Sequence, residues 1–277
     1  MRKEEKMCAN GNFLSGLSAR NIFFSHEGKR GKNDFFSDLS FHLPPGKMTV
    51  LAGGNGCGKS TLLKILCGRL GVKSGVVSFD GTPLKKLSSS RRGELIGLVP
   101  QELPRTEEMT VWDLVMTGRL ARRSIFGLPV AAPSDVQAVE EILRELDMLS
   151  FAERRCSSLS GGEFRRAAIG ATLVRQLEIL LLDEPCAALD YRHEQELMEL
   201  LERLRKERSL TILLVSHDLT LAARFGTNFV LMKEGAILAR GLPEEVLTPE
   251  TLEKVYDIPF QILRSSGGFP VPLPGKR

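Results

Sequence analysis

"KMTVLAGGNGCGKSTLLKILCGRL", residues 47–70, decides the fold. A compact apolar strand runs into closely spaced glycines, and a helix follows with apolar residues at helical spacing. Gly53, Gly58, Lys59 and Ser60 match G-x-x-x-x-G-K-[ST], with the strand before it and the helix after it that the pattern requires. The glycines let successive backbone N–H groups curl around phosphate oxygens, and the helix N-terminus adds partial positive charge. Gly53, Gly54, Asn55, Gly56, Cys57, Gly58, Lys59, Ser60 and Thr61 are therefore expected to cradle a nucleotide's phosphates. Lys59 would neutralise β- and γ-phosphate charge, and Ser60 would ligate Mg²⁺. A glycine-rich loop without a ligand is the bland alternative; strand, loop and helix in register argue against it. Cys57 lies at a helix start, a setting that lowers thiol pKa, so fast alkylation is expected there.

Outward from this unit, short apolar runs alternate with helical periods, which argues for an α/β protein with a largely parallel sheet. "SGVVSFDG" (74–81) alternates and stops at the hairpin signal Asp80-Gly81, and "LIGLVPQ" (95–101) is a buried strand broken by Pro100. From Glu102 to Ser158 the strands disappear, leaving an inserted helical stretch with helices in "TVWDLVMTGRL" and "SDVQAVEEILRELDML". In the second, Ser134 and Gln137 are placed to form a capping box. Core elements resume with a helix at 161–174, a strand at 178–185, a helix at 191–207 and a strand at 210–218. A helix at 219–225 and a hairpin turning at Glu234-Gly235 follow. The expected organisation is a poorly ordered leader (1–17), a core (18–101 and 159–260), a helical subdomain (102–158) and an irregular Gly/Pro tail (261–277).

A net charge of +4 is too mild to argue for nucleic acid, and the paired arginines at 91–92, 122–123 and 154–155 are scattered rather than striped. No apolar run approaches the roughly 20 residues of a membrane helix, and the polar start "MRKEEK" lacks the apolar stretch of a signal peptide, so the chain is expected in the cytoplasm. Five cysteines without CxxC spacing indicate reduced thiols rather than disulfides or zinc.

Two further stretches carry chemistry. "LLLDEP" puts Asp183 and Glu184 at the carboxyl end of an apolar strand, where parallel sheets bind ligands. Asp183 would hold Mg²⁺ through water, and Glu184 would polarise the attacking water as general base. His217 ends the next strand; a lone histidine is usually structural, but at the same sheet edge it could reach a γ-phosphate. "LSGGEFRRAAIG" (159–170) opens a helix with Ser160 and Glu163 in capping-box spacing. Capping does not explain Gly161 and Gly162, which are poor first-turn residues, so their bare backbone is read as room for a close approach.

In this order the motifs resemble the nucleotide-binding subunit of ATP-binding cassette transporters, over about residues 17–260. "GGNGCGKST" is similar to the Walker A, "VPQ" to the Q-loop with Gln101, "LSGGE" to the family signature and "LLLDEP" to the Walker B. "CAALD" resembles the D-loop with Asp190, and "VSHD" the switch with His217. The resemblance implies a P-loop NTPase (RecA-like) core with an antiparallel β subdomain and an inserted helical subdomain. It implies ATP and Mg²⁺ as cofactors, with Ser60, Gln101 and Asp183 around the metal, and two subunits facing head to tail. Ser160, Gly161, Gly162 and Asp190 would then face the ATP of the partner subunit. Glu163 stands where the family usually has Gln, Cys186 where it has Ser or Thr, and His26 at the adenine-stacking position.

Within the family, "VWDLVMTGR" and "LARGLPEEVLTPETLEKVYDI" (238–258) resemble ATPases of importers for iron chelates (siderophores), haem and cobalamin. That likeness implies separate integral permease subunits, an extracytoplasmic substrate-binding protein and a place on the cytoplasmic face of the membrane. The competing class is a soluble cassette ATPase of repair, translation or cluster assembly. A long coiled coil between the Walker motifs or a second cassette would mark it, and neither is present. A regulatory phosphate-binding module without turnover is disfavoured by Glu184 and His217.

Overall fold

A computed structural model describes residues 15–25, 34–103, 108–120, 124–125, 128–129 and 131–275. The chain divides into two compact units, one formed by the residues up to Arg92 together with Val215 onward, the other by Gly93–Leu214.

The first unit opens with β1 (Leu17–Phe24) and β2 (Phe36–Leu43), which pair antiparallel. β3 (Met48–Gly53), buried at every position, feeds the glycine loop and α1 (Lys59–Leu66). β4 (Ser74–Phe79) pairs antiparallel with β1 and turns back into β5 (Thr82–Pro83), giving the sheet order β2-β1-β4-β5. Asp80 (φ 45°) and Gly81 (φ 76°) form the turn with both φ positive, the geometry that matches the twist of a tight hairpin.

After α2 (Ser89–Leu95), the second unit carries β6 (Ile96–Val99) and α3 (Val111–Leu120). The expectation that strands vanish between 102 and 158 is corrected by the hairpin β7 (Ser124–Ile125) and β8 (Leu128–Pro129), a ladder too short to carry a readable period. α4 (Pro133–Glu145) starts earlier than Ser134 and Gln137 suggested. Its N-cap is Ala132, whose N–H donates to Asp135 Oδ2 at 2.9 Å. Pro133 takes the first helical position, where its missing N–H costs nothing and its fixed φ suits the helix. α5 (Gly161–Leu173), β9 (Ile179–Asp183), α6 (Tyr191–Arg208) and β10 (Thr211–Val215) follow, and β6 and β9 pair in parallel.

Back in the first unit come α7 (Leu219–Phe225), β11 (Asn228–Lys233) and β12 (Ala236–Gly241). They are followed by α8 (Pro243–Val246) and α9 (Pro249–Tyr256). β11 pairs parallel with β3 and antiparallel with β12, turning at Glu234 (φ 48°) and Gly235 (φ 79°). The strand order is β12-β11-β3 in this unit and β10-β9-β6 in the other.

The C-terminal stretch is not irregular. β13 (Phe260–Arg264) and β14 (Pro270–Pro274) form an antiparallel hairpin. Bonds from Ser265 N to Phe269 O and from Gly275 N to Pro259 O put the odd-numbered residues of β14 on the bonded side. Pro270, Pro272 and Pro274 therefore turn their missing N–H groups away from β13, which is how an edge strand tolerates proline.

Candidate functional site

The phosphate loop is built by the end of β3. Gly53 lies beside Met232 of β11, and a Cβ added to it would stand 2.2 Å from the Met232 carbonyl oxygen. Gly58 has φ 109°, and a Cβ there would lie 2.7 Å from the rings of Phe35 and Phe36. Both glycines are thus required by the chain's own packing. At Gly54 nothing approaches within 4 Å, and Asn55 and Gly56 are exposed at the loop crest. The carbonyl of Cys57 accepts from Gly235 N at 3.1 Å, which pins the loop to the β11–β12 turn.

Lys59 is 5% exposed and donates to the carbonyls of Gly53 (2.8 Å) and Gly54 (3.0 Å). An ammonium buried against two carbonyls of its own loop is held ready for a phosphate without leaving its charge unpaired. Ser60 and Thr61 are half-buried in the first turn of α1, and Gly58 is its cap. Cys57 corrects an expectation. It is 5% exposed, and burial pushes its thiol above the ordinary 9.0 while nearby Lys59 pulls the other way. Desolvation outweighs the helix start, so the thiol is a protected one.

His217 is exposed, one residue beyond Ser216, whose N–H donates to Leu51 O in β3 at 3.3 Å. Asp218 then caps α7 by accepting from Leu221 N at 2.8 Å. Behind the loop, burial raises the Tyr256 hydroxyl to about 12, with the Cys57 thiol adding to the rise and a backbone hydrogen bond to Gly53 opposing it. Lys233 donates to both carboxylate oxygens of Asp257 (2.6 and 2.8 Å) and to Lys254 O (2.9 Å), fixing the end of α9. Neither Lys233 nor Tyr256 stood out in the sequence, because both act across more than twenty positions.

The second unit holds the acidic residues. Val99 of β6 stands level with Leu182 of β9, so the two strands end together and release Gln101 and Glu184 side by side. Gln101 Nε2 donates to Glu184 Oε2 at 2.7 Å. Glu184 has φ 48°, a left-handed conformation unusual for a non-glycine residue and of the kind that concentrates at functional sites. Asp183 is 6% exposed at the strand end.

Arg165 of α5 joins this cluster. Its Nη1 donates to Pro100 O and its Nη2 to Gln101 O, both at 2.9 Å, and the residue is 8% exposed. Burial lowers its pKa from the ordinary guanidinium range, with nearby Cys186 and Asp183 opposing. An arginine inside the small, apolar run "FRRAAIGATL" was the available signal.

At the start of α5 the capping box is complete. Ser160 Oγ accepts from Glu163 N at 3.3 Å, and Glu163 Oε2 accepts from Ser160 N at 2.7 Å. Arg154 approaches Glu163 at 3.8 Å. Burial tends to raise the Glu163 carboxyl, but the Ser160 bonds and the Arg154 charge prevail and hold it below the usual 4.5. Ser160 and Gly161 are exposed, whereas Gly162 is buried. A Cβ on Gly162 would lie 3.0 Å from His193 Cδ2, so the half-buried ring would have to give by a few tenths of an ångström. Gly161 keeps the open approach. Asp190 caps α6, accepting from His193 N at 2.9 Å, and pairs with His193 Nδ1 at 2.8 Å. These two His193 bonds hold the exposed Asp190 carboxyl below its ordinary range. His26 lies outside the described residues.

Among the described residues no three or more His, Cys, Asp or Glu converge into a metal-holding group, and no helix is long and apolar enough to cross a membrane. The family model described as "ABC transporter" matches residues 36–187. The chain is 37% identical to the iron(3+)-hydroxamate import ATP-binding protein FhuC of Bacillus subtilis (strain 168), covering 84% of this chain and 86% of that one. It is 34% identical to the hemin import ATP-binding protein HmuV of Bordetella avium (strain 197N), covering 84% and 90%. A chain of an ABC transporter solved in an inward-facing conformation matches at a TM-score of 0.80 and 26% identity, over 95% of this chain and 98% of that chain. With the phosphate loop, the two strand-end acids and the capped signature helix in place, the chain belongs to the ATP-binding cassette transporter family and is one of its ATPases.

Proposed function

We propose that this chain powers the uptake of an iron chelate (siderophore), haem or cobalamin through separate permease subunits, from the cytoplasmic face of the membrane. The observation that carries the importer reading is similarity over more than four-fifths of the chain to ATP-binding proteins named for hydroxamate-iron and hemin import. In this reading the permease receives its cargo from an extracytoplasmic binding protein, and no nucleic acid takes part.

The chemistry follows from the residues. The loop from Gly53 to Thr61 wraps the ATP phosphates, and Lys59 exchanges its carbonyl partners for phosphate oxygens. Glu184 takes a proton from the attacking water, Gln101 orients that carboxylate, and His217 contacts the γ-phosphate. Ser60, Gln101 and Asp183 would hold Mg²⁺. Hydroxyl, amide and carboxylate oxygens are the hard donors this ion takes, and the buried Asp183 carboxylate fits that demand. When bound, the ion neutralises charge that builds on the phosphate oxygens during transfer. Ser160, Gly161, Gly162 and Asp190 act on the ATP of a second copy, in a two-fold dimer. The exposure of Ser160, Gly161 and Asp190 supports this.

Uptake of labelled ferric hydroxamate, haem and cobalamin by cells with and without the gene tests the importer reading. Loss of one of the three is expected. Unchanged uptake of all three would refute the proposed substrate class and leave the ATPase standing.

A further inference from the structure

Pro100 and Gln101 lie just beyond the last β6–β9 pair, so their carbonyls have left the sheet ladder. Carbonyls that leave a ladder need new donors, and one planar guanidinium supplies both through part-buried bonds. Arg165 forks onto Pro100 O and Gln101 O at 2.9 Å each, from a helix whose first turn carries Ser160 and Gly161. With the backbone of Gln101 held in this way, its side chain meets Glu184 Oε2 at 2.7 Å.

We infer that Arg165 is a positioning residue for hydrolysis, linking the start of α5 to Glu184 by fixing the backbone from which Gln101 reaches the carboxylate. This rests on the roles proposed above for Gln101 and Glu184. Arg165 touches neither nucleotide nor water in this scheme, and it acts through Gln101 alone. Lysine keeps the charge but replaces the two-pronged donor with a point, and so leaves one of the two carbonyls poorly served. Glutamine removes the charge and retains a single short donor.

A double-mutant cycle on the purified chain tests the inference, with kcat and KM for ATP measured beside thermal unfolding. Arg165→Lys is expected to lower kcat about tenfold while KM changes less than about twofold, the loss of one charge-assisted bond at the transition state. Arg165→Gln should fall further. In a Gln101→Ala background, where kcat is already reduced, Arg165→Lys should lower it by less than about twofold, because the route it serves is gone. Multiplicative losses would overturn the inference and leave the roles of Gln101 and Glu184 intact. An unaffected Gln101→Ala would overturn the role of Gln101 and the inference with it. Should Arg165→Gln fail to fold, the lysine variant carries the cycle.

Discussion

Replacing Glu163 by Gln removes one charge from the start of α5 and leaves its shape. The carboxylate accepts from Ser160 N at 2.7 Å, and the amide oxygen of Gln can take the same bond. What goes is the interaction of a negative charge with the N-terminal end of the helix, worth about 0.3–1 kcal/mol. Arg154, 3.8 Å away with a side chain 46% exposed, adds little because water screens such pairs. A loss of about 0.3–1 kcal/mol corresponds to about a 1.7- to fivefold change in an opening equilibrium. Hydrogen exchange at the first-turn amides of α5, including Glu163 N, should therefore quicken by about that factor at neutral pH. The folded carboxyl is held below its ordinary value, so its contribution is complete above the unfolded pKa and fades as pH falls through the folded one. The gap between wild type and Glu163→Gln should accordingly shrink on acidification. A gap that persists unchanged at low pH would refute the electrostatic reasoning, and so would equal exchange at neutral pH.

Gly53→Ala should fail to fold or unfold far more readily, since the new Cβ would sit 2.2 Å from a backbone carbonyl. Gly54→Ala, with nothing within 4 Å, should keep its melting temperature and lose ATP affinity, as melting curves beside nucleotide titration would reveal. Cys57, buried with a raised thiol pKa, should react with iodoacetamide more slowly than the half-buried Cys186, and peptide mapping of a time course measures both.

How much of this was legible depended on the range of the interaction. The strand, loop and helix around Lys59, the hairpin turns at Asp80-Gly81 and Glu234-Gly235, and the cap at Ser160 are written in neighbouring residues, and they stand as read. The first turn of α4 was misplaced because Ser134 offered a generic capping pattern while Pro133 and Asp135 built the real one. The C-terminal hairpin was hidden by its prolines, whose alternate spacing is compatible with an edge strand only once a partner is known. Cys57 was misjudged because a motif reports the helix start but not the burial around it. Arg165 and Lys233 gain their roles from carbonyls and carboxylates 21 or more positions away, and neighbouring residues do not say which those partners are.

The central claim, hydrolysis of ATP with Glu184 as the base, is met most directly by one comparison on the purified chain. Glu184→Gln keeps an oxygen that can accept from Gln101 and loses the basic carboxylate. ATP turnover should fall by about 10²- to 10⁴-fold, the usual size of a general-base contribution, while ATP binding is retained. Turnover near that of the wild type would contradict the account.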